Sequence, residues 1–414
     1  MKKAKKIIIC LVYVLIFSVG SVNLYANADV GKLKQVVTEY NDLDLTEPLA
    51  EVSGNITNSD LMQLNAKSVI LIEKTTGQVL YEKDSHSKLP PASITKVMSL
   101  LLVMEALDEE KISLDTVIRA SDHACSMGGS QIWLEPNETM SVDELLKASV
   151  IGSANDATVA LAEQISGSEE GFVAKMNERA ISLNMNDTHF VNASGLDAEG
   201  HLTSANDIAI MSAQLLKYSL IKNYSTVWMD SLRNGKTELV NTNKLVRFYE
   251  GATGLKTGTT DLAGCCVTAS AERDGMELIA VVMGAQTSTE RFNIARKLLD
   301  YGFANYSIVN VEVPSENLHP IGVKKGVLPS VDITTEGTKN ILIETSRRDE
   351  IKQEIIIEKS LSAPVAKEQQ VGFSRILLDG EELSRIKILA KQEIKPMTLI
   401  TAFKKLLYEI LNFC

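Results

Sequence analysis

The sequence predicts an α+β protein: one antiparallel sheet with a helical lobe, followed by a small all-β domain and a C-terminal amphipathic helix. Apolar segments rich in valine and isoleucine predict sheet strands at 68–73, 263–271 and 277–283. The chain between them has helical periodicity, so strands from both ends enclose the helices in sequence. Strict alternation returns after residue 305, and the last segment carries an apolar helical stripe.

The N-terminus has the pattern of an export signal. Four lysines among the first six residues precede an apolar run from Ile7 to about Val22, and Ala26-Asn-Ala28 is a small-x-small cleavage site. We interpret residues 1–28 as the signal peptide of an exported, extracytoplasmic protein; an uncleaved membrane anchor is the alternative. Residues 29–63 are polar and acidic with weak periodicity, which predicts a flexible lead-in.

The composition limits the classes of partner. The 414 residues include 42 basic and 53 acidic side chains. Residues 1–28 hold four lysines and no acid, so the processed chain has 38 basic against 53 acidic residues and a formal charge of −15. We therefore expect no nucleic acid partner, and a carboxylate-bearing substrate must be recognised by a local positive site. No cysteine or histidine spacing suggests zinc, so no metal or cofactor is expected.

Residues 64–305 are predicted to form the larger domain. A Thr75-Thr-Gly77 turn between two strand-like segments predicts an opening hairpin, and Pro90-Pro91 then breaks the chain before a helix from Ser93 to about Leu107. Ser141-Val-Asp-Glu144 has the pattern of a helical capping box. The other helices predicted in this domain lie near 141–151, 168–183, 204–217 and 287–301.

Ser93-Ile-Thr-Lys96 places a hydroxyl and an amine three residues apart. A serine needs a positioned base to act as a nucleophile, and the i, i+3 spacing of a helix puts both side chains on one face. Lys96 must be neutral part of the time to serve as that base, which requires burial or a nearby positive charge. Lys256 is the candidate for that charge. The start of a helix also supplies amide donors for an oxyanion.

Two later fragments extend this pattern. Ser153-Ala-Asn155 begins 60 residues after Ser93, and Lys256-Thr-Gly258 begins 103 residues after Ser153. Their order and spacing match the three-motif pattern of serine acyl-transferases. Ser153 and Asn155 are predicted to lie in a turn before a helix, where their side chains reach into a cleft.

At these residues the chain resembles the low-molecular-mass penicillin-binding proteins that are D-alanyl-D-alanine carboxypeptidases. The resemblance extends from about residue 60 to residue 305 and, more loosely, over the remainder. It implies a penicillin-binding/β-lactamase-like transpeptidase domain, with a cleft where the helical lobe meets the sheet. The segments that carry the resemblance are 91–96, 124–131, 153–157, 189–196 and 254–260.

The resemblance implies acyl transfer on a peptidoglycan pentapeptide that ends in D-Ala-D-Ala. Ser93 attacks the carbonyl of the penultimate D-Ala with Lys96 as base, the terminal D-Ala leaves, and the acyl-Ser93 ester is hydrolysed. Ser153 and Lys256 are candidates for protonating the leaving amine, while Asn155 holds the substrate or orients Lys96. Because β-lactams mimic this peptide end, they are expected to acylate the same serine and act as inhibitors.

The third motif is expected to bind the terminal carboxylate through Lys256, Thr257 and Thr259, with Gly258 between the two threonines. Such binding explains a requirement for a free C-terminus. The resemblance also implies that the oxyanion lies between the amides of Ser93 and Thr259. Some relatives have histidine after Lys-Thr-Gly, where this chain has Thr259. We expect the hydroxyl to keep the carboxylate contact, with an altered rate or drug affinity.

Three alternative functions are considered. A class A β-lactamase would need a glutamate placed for the deacylation water, and none of the acids between residues 163 and 178 lies in a pattern typical of that loop. A D,D-endopeptidase would cut crosslinks without releasing D-alanine from monomeric peptides. A weakly active β-lactam-binding scaffold would most simply have lost Ser93 or Lys96, and both are present.

Four cysteines follow the predicted cleavage site: Cys125, Cys265, Cys266 and Cys414. Adjacent residues of a strand point to opposite faces and seldom bridge each other. We interpret Cys265 and Cys266 as small hydrophobic residues, and a disulfide to Cys125 is the alternative.

Residues 306–392 are predicted to form an all-β domain. The segment 308–313 alternates strictly between apolar and polar residues, and Leu378-Asp-Gly-Glu381 carries a strong hairpin signal. The domain has no constellation of catalytic residue types, so we interpret it as a spacer or interaction module.

Residues 393–414 are predicted to contain an amphipathic helix. Such a helix either packs against its own protein or lies in a membrane interface. The resemblance favours peripheral anchoring to the outer face of the cytoplasmic membrane. The stripe comprises Leu399, Phe403, Leu406, Ile410 and Phe413, opposite Thr401, Lys404, Lys405 and Asn412.

Overall fold

The structure is a computed structural model that describes residues 63–411. The predicted signal peptide (1–28), almost all of the lead-in (29–63) and Cys414 lie outside the described residues. Within this range the helices are α1 Lys96–Asp108, α2 Asp122–Cys125, α3 Val142–Val150, α4 Asn155–Ser166, α5 Glu169–Ser182, α6 Ala205–Leu215, α7 Lys222–Ser225, α8 Leu245–Phe248, α9 Ser288–Asn305 and α10 Leu399–Leu411. The strands are β1 Ser68–Glu73, β2 Val79–Lys83, β3 Val117–Arg119, β4 Thr139–Ser141, β5 Met229–Leu232, β6 Thr237–Val240, β7 Ala252–Thr260, β8 Gly264–Arg273, β9 Met276–Ala285, β10 Tyr306–Val311, β11 Ile321–Lys324, β12 Ser330–Val331, β13 Ile333–Thr335, β14 Lys339–Glu344, β15 Lys352–Ile357, β16 Ser360–Ser362, β17 Gln370–Leu378 and β18 Glu381–Ala390.

Five strands form the main sheet, in the order β2-β1-β9-β8-β7. Every neighbouring pair in it is antiparallel. β1 pairs with β9 over its whole length, from Ser68 opposite Met283 to Glu73 opposite Leu278. The first strand of the domain therefore lies beside strands from its end, and the predicted α+β class is confirmed.

Helices cover both faces of this sheet. The central strand β9 is buried at nine of its ten positions and contacts both α6 and α9. A strand buried on both faces reads as a continuous apolar run, which is why the segment 277–283 was recognisable in the sequence. The sheet face that contacts α6 also borders the helical lobe, in which the helices pack around α1.

Helix α1 is the centre of the lobe. Every residue from Lys96 to Met104 is buried, and the helix contacts α4 and α6. A helix that is apolar on all sides belongs inside a domain. The one charged side chain of that buried stretch, Lys96, is therefore held in the interior and must find polar partners there.

Short-range signals located the helix ends well. Ser141 and Glu144 form the predicted capping box at the start of α3. Ser168, Ser204 and Thr287 each accept a hydrogen bond from the backbone three residues later, and each caps a helix that the sequence predicted. The Thr75-Thr-Gly77 turn joins β1 to β2, as predicted.

Two local predictions need correction. The sequence predicts an α-helix that starts at Ser93, but Ser93 lies in a 3-10 turn, Ala92–Thr95, and α1 begins at Lys96. The i, i+3 spacing still brings the side chains of Ser93 and Lys96 together, because side chains three residues apart point in the same direction in a 3-10 turn. Lys256-Thr-Gly258 was not assigned to a strand, yet it lies within β7 at the edge of the sheet.

The described residues after α9 form small sheets. One is the antiparallel sheet β13-β18-β17-β15, in which Asp379 and Gly380 make the predicted hairpin turn between β17 and β18. The others are the pair β10-β14 and the sheet β12-β11-β16. β11, β12, β13 and β16 have two to four residues each, too few for an alternation pattern, and the sequence did not reveal them.

Helix α10 follows the last strand. Its apolar residues Leu399, Phe403 and Leu406 are 91%, 65% and 56% exposed, so they do not pack against the rest of the described chain. Among residues 63–411, no helix combines the length and the apolar character that crossing a bilayer requires.

Candidate active site

The side chains of the first two motifs meet around the amine of Lys96. Lys96 Nζ lies 3.0 Å from Ser93 Oγ, donates to Asn155 Oδ1 at 2.5 Å and donates to the Ser194 carbonyl oxygen at 2.7 Å. Ser93 is partly exposed, whereas Lys96 is fully buried. The fold thus holds the amine against a hydroxyl that a solute can reach.

The surroundings of Lys96 favour its neutral form. Burial lowers its pKa well below the ordinary value, and the positive charge of Lys256 lowers it further, against a smaller opposing effect of Asp156. A neutral amine keeps a lone pair for the Ser93 proton while its own hydrogens bind Asn155 and Ser194. This arrangement can activate a serine hydroxyl.

The second motif begins in the predicted turn after α3 with Ser153, but Asn155, also predicted in that turn, lies within α4. Ser153 is 4% exposed and has a φ of +60°, a sparsely populated conformation for a residue other than glycine. Asn155 is the first residue of α4, and its Nδ2 donates to the Gly128 carbonyl at 2.6 Å. Its backbone N–H donates to Ser130 O at 2.7 Å. Asn155 therefore ties the loop 128–130 to Lys96.

The third motif lies on β7, beside the turn that holds Ser93. A Cβ on Gly258 would lie 2.9 Å from the Ser93 backbone nitrogen and 3.0 Å from Ala92 Cβ, so only glycine allows this approach. Thr259 is exposed and follows directly. Thr257 is 5% exposed, and its hydroxyl donates to Thr242 Oγ1 at 2.7 Å. The close packing brings β7 against the amide of the predicted nucleophile.

Lys256 is fully buried behind the cleft. Burial lowers its pKa to about 7, and the positive charge of Arg291 contributes to that shift. Its Nζ donates to the Thr257 carbonyl at 3.2 Å. Lys256 can therefore exist in both protonation states near neutral pH.

Arg291 is a residue that sequence reasoning missed. Its guanidinium, supplied by α9, donates to Thr259 Oγ1 at 2.8 Å, to Gly258 O at 3.2 Å and to Cys266 O at 3.3 Å. It supports β7 from behind and fixes the Thr259 side chain. The sequence does contain one signal for this residue. Arg291 is charged, yet it lies three and four residues before Ile294 and Ala295, on the same buried face of the helix.

The segment 192–197 also supports the site, although its residues alone predict no role. Asn192 Oδ1 accepts hydrogen bonds from the backbone N–H of Ser194 and Gly195, at 3.2 and 2.7 Å. These bonds shape the turn whose Ser194 carbonyl binds Lys96. At its far end, the Thr260 hydroxyl donates to Asp197 Oδ1 at 2.8 Å, so the same segment reaches β7.

The described cysteines are free thiols. Cys125, Cys265 and Cys266 form no disulfide with one another, so the alternative bridge to Cys125 is wrong. Cys266 is buried, and its Sγ accepts a hydrogen bond from the Gly284 backbone. It packs in the main core, as predicted for a small hydrophobic residue.

Comparison with known proteins identifies the family of this chain. A family model described as D-alanyl-D-alanine carboxypeptidase matches residues 54–287. The chain belongs to the D-alanyl-D-alanine carboxypeptidase family. A second model, the C-terminal domain of penicillin-binding protein 5, matches residues 313–396, which confirms the predicted all-β domain.

Individual relatives support this family assignment. The chain is 45% identical over 344 residues to the D-alanyl-D-alanine carboxypeptidase DacF of Bacillus subtilis, covering 82% of this chain and 88% of that protein. Penicillin-binding protein 5 from Haemophilus influenzae has a similar structure, with a TM-score of 0.69, 29% identity and coverage of 80% and 98%. Penicillin-binding protein D2 from Listeria monocytogenes, in its ampicillin-bound form, has a TM-score of 0.54, 32% identity and coverage of 58% and 99%.

The predicted activity is thereby confirmed: this member of the family is a D-alanyl-D-alanine carboxypeptidase. The family model ends at residue 287 and the second begins at 313, so α9 lies between the two matched regions. That helix supplies Arg291, which contacts the third motif.

Proposed function

We propose that Ser93 is the nucleophile and Lys96 the general base in removing the terminal D-alanine from stem peptides that end in D-Ala-D-Ala. The observation that carries this assignment is the 3.0 Å contact between Lys96 Nζ and Ser93 Oγ in a site where Lys96 is buried. A general base must lie within hydrogen-bond reach of the proton it takes and must be unprotonated at the working pH. The lowered pKa of Lys96 supports the second condition.

The reaction proceeds in two steps. Ser93 Oγ adds to the penultimate D-Ala carbonyl as its proton passes to Lys96, and the amide bond breaks as the leaving amine takes up a proton. Water then attacks the Ser93 ester and releases the shortened peptide. The close approach of Gly258 to the Ser93 amide supports an oxyanion site between the amides of Ser93 and Thr259. Donors of that kind typically contribute about 3 to 4 kcal/mol of transition-state stabilisation each.

Asn155 orients the base, while the third motif holds the substrate. Asn155 Oδ1 accepts from Lys96 Nζ, which fixes the direction of the amine. Lys256, Thr257 and Thr259 bind the terminal carboxylate, and Arg291 keeps the Thr259 hydroxyl in place. Ser153 and Lys256 pass a proton to the leaving amine.

The Lys256 carboxylate site predicts a pH dependence. Lys256 has a pKa of about 7, so the free enzyme loses this positive charge as the pH rises through that value. We expect kcat/KM for D-alanine release to fall above about pH 7, with a smaller fall in kcat. A charged hydrogen bond is typically worth about 1.5 to 3 kcal/mol, so the fall should reach about 10-fold or more.

A matched substrate distinguishes the two roles of Lys256. The same peptide with a C-terminal amide has no carboxylate, so its lower kcat/KM should fall less above pH 7, by the part that proton donation to the leaving amine contributes. Both profiles are measured as D-alanine or D-alaninamide release, with circular dichroism to show that the protein stays folded. A fall of equal size for both peptides would contradict carboxylate binding and assign the Lys256 proton to the leaving amine.

β-Lactams enter the same site as acylating inhibitors. Their ring carbonyl takes the place of the penultimate D-Ala carbonyl, and their carboxylate takes the place of the peptide terminus. The ampicillin-bound state of the related Listeria protein supports this expectation. The inhibitor stays attached for as long as hydrolysis of the Ser93 ester is slow.

We further propose that the enzyme is exported and that α10 holds it at the outer face of the cytoplasmic membrane. The exposed apolar side chains of Leu399, Phe403 and Leu406 on this helix support an interfacial position. Residues 1–28, with the pattern of a signal peptide, support the export.

Vesicle binding tests this anchoring. We expect the chain from residue 29 onward, without the apolar run of the signal peptide, to co-sediment with vesicles of phosphatidylcholine and phosphatidylglycerol. The double variant Phe403→Glu, Leu406→Glu should bind at least about 100-fold more weakly. The reason is that burying each side chain is worth roughly 1.5 to 3 kcal/mol. A control pair of equal charge change, Ser315→Glu with Thr338→Glu, lies at exposed positions of the β domain and should bind like the wild type. Equal weakening by both pairs, or none by either, would refute the anchor.

A further inference from the structure

The backbone just before Ser93 has an unusual conformation. Ala92 is 1% exposed and has a φ of +49°, in the left-handed region that residues with a Cβ rarely adopt. A conformation of this kind persists only where the surrounding structure holds it in place. Because Ser93 is the next residue, whatever holds Ala92 also sets the direction of the nucleophile.

A chain of hydrogen bonds ends on the Ala92 carbonyl. The Thr95 hydroxyl donates to Ala92 O at 2.8 Å, and His201 Nε2 lies 2.7 Å from the same hydroxyl oxygen. On its other side, His201 Nδ1 lies 2.9 Å from the Val191 nitrogen. A backbone N–H only donates, so Nδ1 is the acceptor, and a neutral His201 then donates from Nε2 to Thr95.

The surroundings keep His201 neutral. It is 3% exposed, and burial lowers its pKa to about 4, with a contribution from the neighbouring His189 and an opposing effect of Asp197. A protonated ring would carry hydrogen on both nitrogens and could not accept from Val191. At neutral pH each hydrogen bond therefore has a fixed donor: Val191 donates to His201, His201 donates to Thr95, and Thr95 donates to Ala92.

The same carbonyl lies against the segment that binds Lys96. A Cβ on Gly195 would lie only 1.9 Å from Ala92 O, and Gly195 itself has a φ of +90°. The preceding residue, Ser194, provides the carbonyl that accepts from Lys96 Nζ. The position of Ala92 is thus coupled to the position of both Ser93 and its base.

We infer that Thr95 and His201 are positioning residues: they hold the Ala92 turn in its left-handed conformation and thereby keep Ser93 Oγ in line with Lys96 and the carbonyl it attacks. The inference rests on the proposed role of Ser93. Both side chains are buried, Thr95 at 0% and His201 at 3% exposure, so their effect is on the rate of acylation rather than on binding. Misplacing a reacting group by about 1 Å typically costs about 100-fold in rate.

Two variants of Thr95 in the full chain test this inference. Thr95→Val keeps the shape and removes the hydroxyl, and Thr95→Ser keeps the hydroxyl and removes the methyl. We expect Thr95→Val to reduce the first-order acylation rate by a fluorescent penicillin 10- to 100-fold, with an unchanged dissociation constant for the initial complex, and Thr95→Ser to stay within about 3-fold of the wild type. A normal rate in Thr95→Val, or an equal loss in both variants, would overturn the inference.

A pair at His201 gives a second, independent measurement, useful if Thr95→Val fails to fold. The side-chain amide of His201→Gln reaches the position of Nε2 and retains a donor to Thr95, whereas that of His201→Asn reaches only the position of Nδ1. We expect the Gln variant to acylate within about 5-fold of the wild type and the Asn variant 10-fold or more slowly. Equal rates in the two variants would refute positioning through Thr95.

A separate experiment tests whether Ser93 is the nucleophile, independently of the positioning role of Thr95 and His201. Peptide mapping of the penicillin adduct in the wild-type protein shows whether Ser93 is acylated, whatever the rates of the other variants. An adduct elsewhere would refute the proposed nucleophile, whereas an adduct on Ser93 with unaffected Thr95 and His201 variants would refute only the positioning role.

Discussion

Replacing Ser93 by alanine is expected to abolish D-alanine release from a short peptide ending in Lys-D-Ala-D-Ala. Loss of the nucleophile of a covalent mechanism typically costs about 10⁴-fold or more in rate, because the ester between enzyme and substrate can no longer form. Folding should change little. Ser93 is partly exposed, and Lys96 keeps its bonds to Asn155 and Ser194 in the variant.

The measurement pairs D-alanine release with mass spectrometry of the penicillin-treated protein. Wild-type protein should gain one penicillin per chain and Ser93→Ala none. Ser113→Ala, a change of the same kind at an exposed turn, is the matched control and should behave as wild type. D-alanine release that survives in Ser93→Ala at more than about 1% of the wild-type rate would exclude Ser93 as the nucleophile. Penicillin binding by the wild type without D-alanine release would instead favour an endopeptidase or scaffold.

Local features of the fold were predictable because their causes are local. The capping box at Ser141, the turn at Thr75 and the hairpin at Asp379 each depend on side chains within four residues of one another. The strand at 277–283 was recognisable because burial on both faces demands an unbroken apolar run. Patterns of this kind need no knowledge of the tertiary structure.

The edge strand β7 was not predictable in the same way. Its sequence from Ala252 to Thr260 contains two glycines, four threonines and a lysine, which give neither an apolar run nor a clean alternation. Gly258 is required by the approach of the Ser93 turn, and Lys256 has the proposed role in binding the substrate carboxylate. The residues of the third motif occupy positions where a strand usually has apolar or alternating residues. The sequence therefore shows the motif but not the strand.

The supporting residues of the site were invisible for a different reason. Arg291 and His201 contact residues that are far away in the sequence: Arg291 binds Thr259, and His201 binds Thr95. Nothing in the local sequence says which distant segment a side chain will face. The histidines appeared scattered when judged by metal-ligand spacing, yet one of them lies two hydrogen bonds from the Ala92 carbonyl.

Removing the ability of residue 96 to lose a proton is expected to stop acylation while Ser93 remains. Lys96→Arg keeps a long basic side chain, but a guanidinium stays protonated at any working pH and cannot take the Ser93 proton. We expect acylation by penicillin to fall about 10³-fold or more. The wild-type rate should rise with pH through the lowered pKa of Lys96, and the rate of the arginine variant should lack that rise.

Lys96→Met serves as a second variant because arginine is larger than the buried site of Lys96. It removes the base without placing a permanent charge in the interior, so acylation should be lost to the same extent. The stability difference has a defined sign. Lys96 has a lower pKa in the folded than in the unfolded state, so the unfolded chain binds more protons and wild-type stability rises with pH up to about 10.5 relative to the methionine variant. Denaturant unfolding at several pH values measures that difference, and the single-turnover penicillin assay measures the rate; normal acylation in Lys96→Met would rule out Lys96 as the base.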